Sequence, residues 1–304
     1  MDFVANSEKM RAVVRLAERV APTDATVLIT GESGTGKNFV SEFIHHRSPR
    51  AAKNLVKIDC AALPTDLIEA ELFGFERGAF TGASETRPGR LEAAHHSTLL
   101  LDEVALLPLA AQAKLLRVLE EREFERLSGR KTIKINVRII ATTNADLELA
   151  IAKKTFREDL FYRLNVVRIE LPPLRERSAD IADLSNLLLV FFAAKHGREK
   201  IDLAKDARAQ LEQYDFPGNI RELSNLLERA LLNSNNQQIT ARDLPPLLSE
   251  RKNTVERWLT LAELEARHVC DTLQLTRGNK AKAARLLGIS RKNLYEKLAR
   301  YEQR

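Results

Sequence analysis

Through the first 170 residues, short and nearly continuous apolar runs alternate with stretches whose apolar positions recur at helical spacing. The runs at residues 25–30 (ATVLIT), 55–59 (LVKID), 97–102 (STLLLD), 136–143 (NVRIIATT) and 166–171 (VVRIEL) predict strands. The stretches between them, such as residues 110–122, predict helices. Strands apolar on both faces, alternating with helices, predict an α/β architecture with a parallel sheet covered on both sides.

Leu171-Pro172-Pro173 ends this region, because two prolines cannot continue a central strand. Residues 179–248 carry helical patterns only. Residues 215–218 (DFPG) predict a turn, with Asn219 as the N-cap of the next helix and Glu222 completing a capping box. Pro245-Pro246 and the polar stretch 249–257 predict a linker. Three short helices follow. Ala262, Ala266, Val269 and Leu273 mark the first, Asn279 caps a second ending at Leu287, and Ser290 caps a third after the Gly288-Ile289 turn. The third sets Leu294, Leu298 and Tyr301 on one face and Arg291, Lys292, Asn293, Lys297 and Arg300 on the other. Helix, short glycine-containing turn, basic helix is the helix-turn-helix arrangement, whose last helix reads the major groove while other cations meet phosphates. The expected organisation is an α/β core at 1–171, a helical lid at 172–249, a linker at 250–259 and an all-α helix-turn-helix domain at 260–304.

The charge distribution strengthens the last element. The 304 residues carry a net +6, yet residues 276–304 hold nine basic and two acidic side chains, a net +7, leaving −1 on the rest. Confining the excess to one small end points to a polyanion-binding appendage, with DNA as partner and Lys280 and Lys282 beside Ser290, Arg291, Lys292, Asn293 and Lys297 as contacts. At 44% apolar and 30% charged residues, the chain can build two or three cored domains. Its longest apolar run, residues 187–194, is far shorter than the roughly 20 residues of a membrane span, so no membrane association is expected. The N-terminus shows no signal-peptide pattern, and Cys60 and Cys270 lie far apart in sequence. A reducing, cytoplasmic setting is therefore expected.

GESGTGK (31–37) sits between a predicted strand and a predicted helix, the context a phosphate-binding loop requires. Gly31, Gly34 and Gly36, with Glu32, Ser33 and Thr35 between them, let backbone N–H groups curl around phosphate oxygens at a helix N-terminus. Lys37 would reach the β- and γ-phosphates. Asn38 stands where a Ser or Thr hydroxyl ligand to magnesium is usual. The second element is the strand STLLLD followed by Glu103. Asp102 would hold Mg2+, directly or through water, and Glu103 would polarise the attacking water of an ATP hydrolysis.

With these in place, ELFGFERGAFTGA (71–83) resembles the signature of the sigma-54-dependent transcriptional activators, a branch of the AAA+ ATPases. GESGTGK, LLLDEV, ATTNADL (141–147), FREDLFYRLN (156–165), LPPLRERSADI (171–181) and FPGNIREL (216–223) resemble its other blocks in the same order, and residues 261–304 resemble a Fis-type helix-turn-helix. The resemblance implies that Gly78, Ala79, Phe80, Thr81, Gly82 and Ala83 form a mobile loop tip contacting the sigma-54 factor, with Phe80 and Thr81 central. It implies that Arg157 and Arg163 are arginine fingers reaching a neighbouring subunit's γ-phosphate, an effect worth about 10³–10⁵ in rate elsewhere. Their alternative is local salt bridging with Glu158 or Asp159. Asn144 matches the first sensor and Arg221 the second. The implied assembly is a ring, a hexamer on activation and a dimer at rest, that remodels sigma-54 RNA polymerase from enhancer DNA.

The chain departs from that pattern at several positions. Asn38 replaces a Glu, Phe75 a His and Phe216 a Trp. Asp59 replaces an Asn that pairs with the catalytic Glu; two facing carboxylates would raise one pKa or require a cation, so altered coupling with retained ATPase activity is expected. His45-His46 and His95-His96 lack metal-ligand spacing, and both thiols are expected to be buried. Two other readings stay open: a DNA-binding regulator that uses ATP only as an assembly ligand and does not act on sigma-54, and a general AAA+ remodeller. An intact GAFTGA disfavours the first and the helix-turn-helix the second. The chain enters the ATPase region almost at once, so control is expected from a segment outside it or in trans. Three or four side chains on one helix do not determine an operator.

Overall fold

The five apolar runs form the five strands of one parallel sheet: β1 (Val27–Thr30), β2 (Val56–Asp59), β3 (Thr98–Asp102), β4 (Arg138–Thr143) and β5 (Val167–Glu170), in the order β2-β3-β4-β1-β5. The structure is a computed structural model that describes residues 3–80, 82–199, 201–234, 238–245, 261–276 and 278–302. Thr81, the expected linker at 250–259, Arg277 and Arg304, and the side chains of Ala262, Arg300 and Tyr301 lie outside the described residues.

Both faces of the sheet are covered, which is why its strands read as unbroken apolar runs. On one face Leu99, Leu101, Ile139 and Ala141 pack against α3 (Thr65–Phe73), α4 (Leu109–Glu121) and α5 (Glu158–Leu164). On the other, Val27, Ile29, Leu100, Ile140 and Ile169 meet α1 (Glu8–Val20) and α2 (Lys37–His46). Each buried Leu, Ile or Phe contributes about 1.5–3 kcal/mol. Helix α1 is held at both ends. The buried Asp180 carboxylate accepts from the Asn6 and Ser7 amides (2.6 and 2.8 Å), and the buried Arg138 guanidinium donates to the Ala21 and Val20 carbonyls (2.7 and 2.9 Å). Each charge complements its end of the helix dipole.

Helices α6 (Ile181–Lys195), α7 (Lys205–Glu212) and α8 (Asn219–Asn233) bury their own apolar cluster, including Leu189, Leu211, Phe216, Leu223 and Leu227. Two expectations change here. The region is not purely helical, since Asp202–Leu203 and Gln238–Ile239 pair as a parallel ribbon. Two-residue strands are too short to leave a periodic signal. Nor does Asn219 cap α8: it is the helix's first residue, fully buried, with φ +54°, and Gly218 takes the cap position. Glu222 does reach back, accepting from the Gly218 amide at 2.8 Å.

The chain divides into two compact units, Met1–Leu247 and Leu248–Arg304. The second holds α9 (Leu261–Leu275), α10 (Lys280–Leu286) and α11 (Arg291–Glu302) around Val269, Ala283, Ala284 and Leu294. Asn279 and Ser290 accept from the Lys282 and Asn293 amides, as the capping residues of α10 and α11 should. Among the described residues, no helix is long and apolar enough to cross a membrane.

Candidate functional site

Strand β1 delivers the chain into the loop 31–36, and α2 leaves it at Lys37. Gly31, Gly34 and Gly36 take φ of +149°, +78° and +105°. At Gly34 the demand is steric as well: a Cβ would stand 2.4 Å from the Gly218 carbonyl oxygen, because the loop runs against the start of α8, where the Ile220 amide donates to the Gly34 carbonyl (2.9 Å). Lys37 is nearly buried. Its ammonium donates to the Gly31 and Glu32 carbonyls (2.9 and 3.3 Å) and pairs with Glu103 Oε1 at 3.3 Å.

Parallel register sets Asp59 beside Asp102 at the carboxyl edge of the sheet. Asp102 is oriented from two sides, accepting from the Thr142 hydroxyl on Oδ1 and from Asn38 Nδ2 on Oδ2 (2.8 Å). Glu103 sits in the left-handed region at φ +56°, with its amide donating to Thr142 Oγ1 (3.3 Å) and its Oε2 accepting from the Asn144 amide (2.9 Å). A non-glycine residue held there costs about 1–2 kcal/mol, and these two contacts together with the Lys37 ion pair fix it. Asp59 does not share these partners; its Oδ1 accepts from the Ala61 amide at 2.8 Å. Burial, with Asp59, Asp102 and Glu103 adding to it, pushes the adjacent Cys60 thiol up to about 12, so this buried cysteine stays protonated, whereas Cys270, also expected to be buried, is exposed.

The lid completes the site. Arg221, in the first turn of α8, donates to Ser33 Oγ at 2.7 Å. Ser33, Gly34, Gly36, Lys37, Asn38, Asp59, Asp102, Glu103, Asn144 and Arg221 line one cavity of about 510 Å³. The Glu32 side chain turns to the lid instead, clasped by Arg175 (2.9 and 2.6 Å) and by Asn219 Nδ2 (3.1 Å), contacts that hold its carboxyl below the usual range. Asn219 also accepts from the Leu174 amide (2.7 Å) and donates to the Ser33 carbonyl (3.0 Å), which is the work its side chain does in place of capping.

Sequence reasoning missed Thr142, Arg175 and Asn219, whose roles depend on contacts across the sheet and between core and lid. It also missed a second, apolar cavity of about 220 Å³, walled by Phe3, Val4, Phe39 and Leu184 and sharing Gly36, Leu188 and Ile220 with the first. The only linear signal for it was the apolar face of α6.

The two candidate arginine fingers lie apart from this cavity's lining. Arg157 forks onto Asp159 (3.0 and 2.6 Å) and Arg163 pairs with Glu120 (3.2 Å), both exposed. The described residues 78–80 and 82–83 lie in the chain between the two strands of a ribbon, Gly74–Phe75 paired with Arg87–Pro88. The Gly78 amide donates to the Ala83 carbonyl (2.9 Å) and closes the loop's base. Gly78 and Gly82 have φ of +83° and +105° with open space around them. Phe80 is 42% exposed and meets Phe75 edge-on, with ring centroids 4.9 Å apart. In the second unit Lys280, Lys282, Ser290, Arg291, Lys292 and Asn293 are exposed. Lys280 lies over the Tyr295 ring (4.8 Å), and Lys297 forms an ion pair with Glu265 (2.6 Å).

Three family models match the chain: a Sigma-54 interaction domain over residues 3–170, an AAA+ ATPase lid domain over 175–261 and a Bacterial regulatory protein, Fis family, over 260–301. The chain is 45% identical to the Regulatory protein AtoC of Escherichia coli, covering 98% of this chain and 67% of that protein. It is 43% identical to the Transcriptional regulatory protein FlbD of Caulobacter vibrioides, covering 98% and 70%. It is 46% identical to the Nif-specific regulatory protein of Klebsiella pneumoniae, covering 95% of this chain but only 56% of that one. The crystal structure of NtrX from Brucella abortus in complex with ADP superposes with a TM-score of 0.75 at 36% identity, over 98% of this chain and 68% of that one. A complex of the same protein with ATP gives the same TM-score of 0.75.

Proposed function

The chain belongs to the sigma-54-dependent transcription activators, AAA+ ATPases with a Fis-type DNA-binding domain, and on that premise we propose how it works. ATP occupies the cavity between core and lid, with its phosphates on the loop 31–37 and its base in the apolar cavity beside it. The observation that carries this reading is the convergence of Lys37, Asp102, Glu103, Asn144 and Arg221 on one cavity. Hydrolysis in an assembled ring then drives the 78–83 loop against sigma-54, and exposed side chains of the second unit bind enhancer DNA.

Each residue has a step. Lys37 and the loop amides bind and orient the β- and γ-phosphates. Glu103 accepts a proton from the attacking water, and Asn144, whose backbone amide donates to Glu103, orients that water with its side chain. Arg221 senses the phosphates from the lid. Arg157 and Arg163 act in trans, leaving Asp159 and Glu120 when a neighbour's nucleotide is presented. Asp102 is a hard carboxylate oxygen donor fixed from two sides, which fits a magnesium ion that keeps most of its waters. Mg2+ there would neutralise charge on the β- and γ-phosphate oxygens. Asp59 couples nucleotide state to the loop.

The ring is a hexamer formed on activation from resting dimers, its target the sigma-54 RNA polymerase complex and its compartment the cytoplasm. The functional boundaries run at 1–171, 172–249, 250–259 and 260–304. The test is trapping: purified protein, sigma-54 and ADP–aluminium fluoride should give a stable complex on a native gel, and Thr81→Ala should abolish it. Normal ATP hydrolysis with no complex would favour a DNA-binding regulator that does not act on sigma-54.

A further inference from the structure

Glu32 puts a carboxylate inside a loop suited to phosphates, where an acid facing the ligand would repel it. The side chain faces the lid instead. Its oxygens take the guanidinium fork of Arg175, Oε1 from Nη2 at 2.6 Å and Oε2 from Nη1 at 2.9 Å, and Oε2 also accepts from Asn219 Nδ2 at 3.1 Å. Asn219 Oδ1 accepts from the Leu174 amide at 2.7 Å, and Leu174 is the covalent neighbour of Arg175. Glu32, Asn219, Leu174 and Arg175 therefore close a ring of contacts. It ties together the phosphate loop, the strap from core to lid and the start of α8.

The start of α8 needs such a tie. Phe216 and Asn219, both fully buried, stand in the left-handed region with φ of +47° and +54°. That conformation is unfavourable for residues with a Cβ and persists where surrounding contacts impose it. Two residues beyond Asn219, Arg221 reaches Ser33 from the lid. A cation in the first turn of a helix is opposed by the helix dipole. Its partner, Ser33 Oγ at 2.7 Å, is a neutral hydroxyl, and both side chains are exposed. A bond of that kind does not by itself hold a long side chain in place. The direction of Arg221 follows from the backbone of the first turn of α8. The Ile220 amide on the Gly34 carbonyl and Asn219 Nδ2 on the Ser33 carbonyl (2.9 and 3.0 Å) set the spacing of loop and helix. The fork between Glu32 and Arg175 is charged, planar and two-pronged, so it fixes orientation as well.

We propose that Glu32 is a positioning residue: by holding Asn219 and Arg175 it sets the first turn of α8 so that Arg221 meets the terminal phosphate of ATP. This rests on the reading that ATP binds between core and lid with its phosphates on the loop 31–37. The Glu32 carboxylate makes no contact with the nucleotide, and its substitution acts through Arg221.

The experiment measures the affinity of the full chain for ATPγS and for ADP, by isothermal titration calorimetry with magnesium present. It compares the natural chain, Glu32→Gln, Arg221→Ala and the double variant. Gln keeps the length of the side chain but has a single oxygen where the fork and Asn219 use two. Arg221→Ala should weaken ATPγS by about tenfold, the worth of a charged hydrogen bond, and ADP by less than about threefold. Glu32→Gln should show the same selectivity, with ATPγS weakened about fivefold or more. The double variant should lose no more than about twofold beyond Arg221→Ala, because the two residues act as one. A lid that has come apart loses both nucleotides together, so an equal loss of ATPγS and ADP in Glu32→Gln overturns the inference. So does an ATPγS loss below fivefold, or a double variant whose loss is the product of the two single ones. If Glu32→Gln does not fold, Arg175→Gln breaks the same fork from the lid side and is held to the same criteria. Selective ATPγS loss in Arg221→Ala with none in Glu32→Gln sinks the inference alone; a natural chain that binds neither nucleotide sinks the site reading with it.

Discussion

Asn38 donates its side-chain amide to Asp102 Oδ2 at 2.8 Å. The residue that stands in place of a hydroxyl ligand therefore holds the carboxylate proposed to bind the metal, with Thr142 on its other oxygen. Groups that orient a metal's ligand typically matter about 10–100-fold in metal affinity. Asn38→Ala should raise the concentration of Mn2+ needed to bind alongside ADP by about tenfold, read by electron paramagnetic resonance, while ADP binding without metal stays within twofold. Unchanged Mn2+ affinity would show that Thr142 suffices.

Asp59 and Glu103 line the same cavity with separate partners, the Ala61 amide for one and Lys37 with the Asn144 amide for the other. Because Glu103 keeps its partners when Asp59 changes, Asp59→Asn should leave ATP hydrolysis within about twofold. It should change the yield of the trapped sigma-54 complex, since an amide can bond Glu103 where a carboxylate cannot. Equal hydrolysis together with equal trapping would remove the coupling role.

Gly34 separates the phosphate loop from the lid by less than a methyl group. Its added Cβ would stand 2.4 Å from the Gly218 oxygen, and its φ of +78° disfavours any side chain by about 1–2 kcal/mol. Gly34→Ala should lower the thermal midpoint of the Met1–Leu247 unit and expose the 172–176 segment to protease, because the Gly34–Ile220 and Ser33–Asn219 hydrogen bonds cannot both survive the shift. A midpoint unchanged within 1 °C would contradict the packing described.

His45 is buried, with Nε2 donating to the Lys53 carbonyl at 2.8 Å and Nδ1 buried without a partner. The carbonyl can only accept, so the neutral ring carries its proton on Nε2. Burial, followed by the nearby His46 and Arg138, lowers its pKa against the opposing Lys53 hydrogen bond. The unfolded chain, at about 6.5, then takes up a proton before the folded one does. Stability should therefore be full above pH 7 and fall as pH drops from there toward 5. His45→Gln, which keeps a donor and does not titrate, should flatten that part of the thermal-midpoint profile. An identical slope in both proteins would rule out His45 as its source.

Much of this was legible in the linear chain for a physical reason. The strand runs, the loop 31–37, the Asp102-Glu103 pair, the 78–83 hexapeptide and the caps at Asn279 and Ser290 are local patterns, set by contacts within a few residues, and they survive being read as text. The tertiary structure decided whatever required distant residues to meet. Asn219 looks like a helix cap in sequence, yet folding buries it between Glu32, Ser33 and Leu174, where it ties lid to core. Lys297 stands on a basic helix in sequence, and folding also brings Glu265 of another helix to 2.6 Å from it. Arg177 is one basic residue of the block 171–181 in sequence, and folding buries it with its Nη2 donating to the Thr35 carbonyl of the phosphate loop. Periodicity and motif spacing record what a segment does with its own neighbours. Which buried polar groups find partners is settled only when the elements pack.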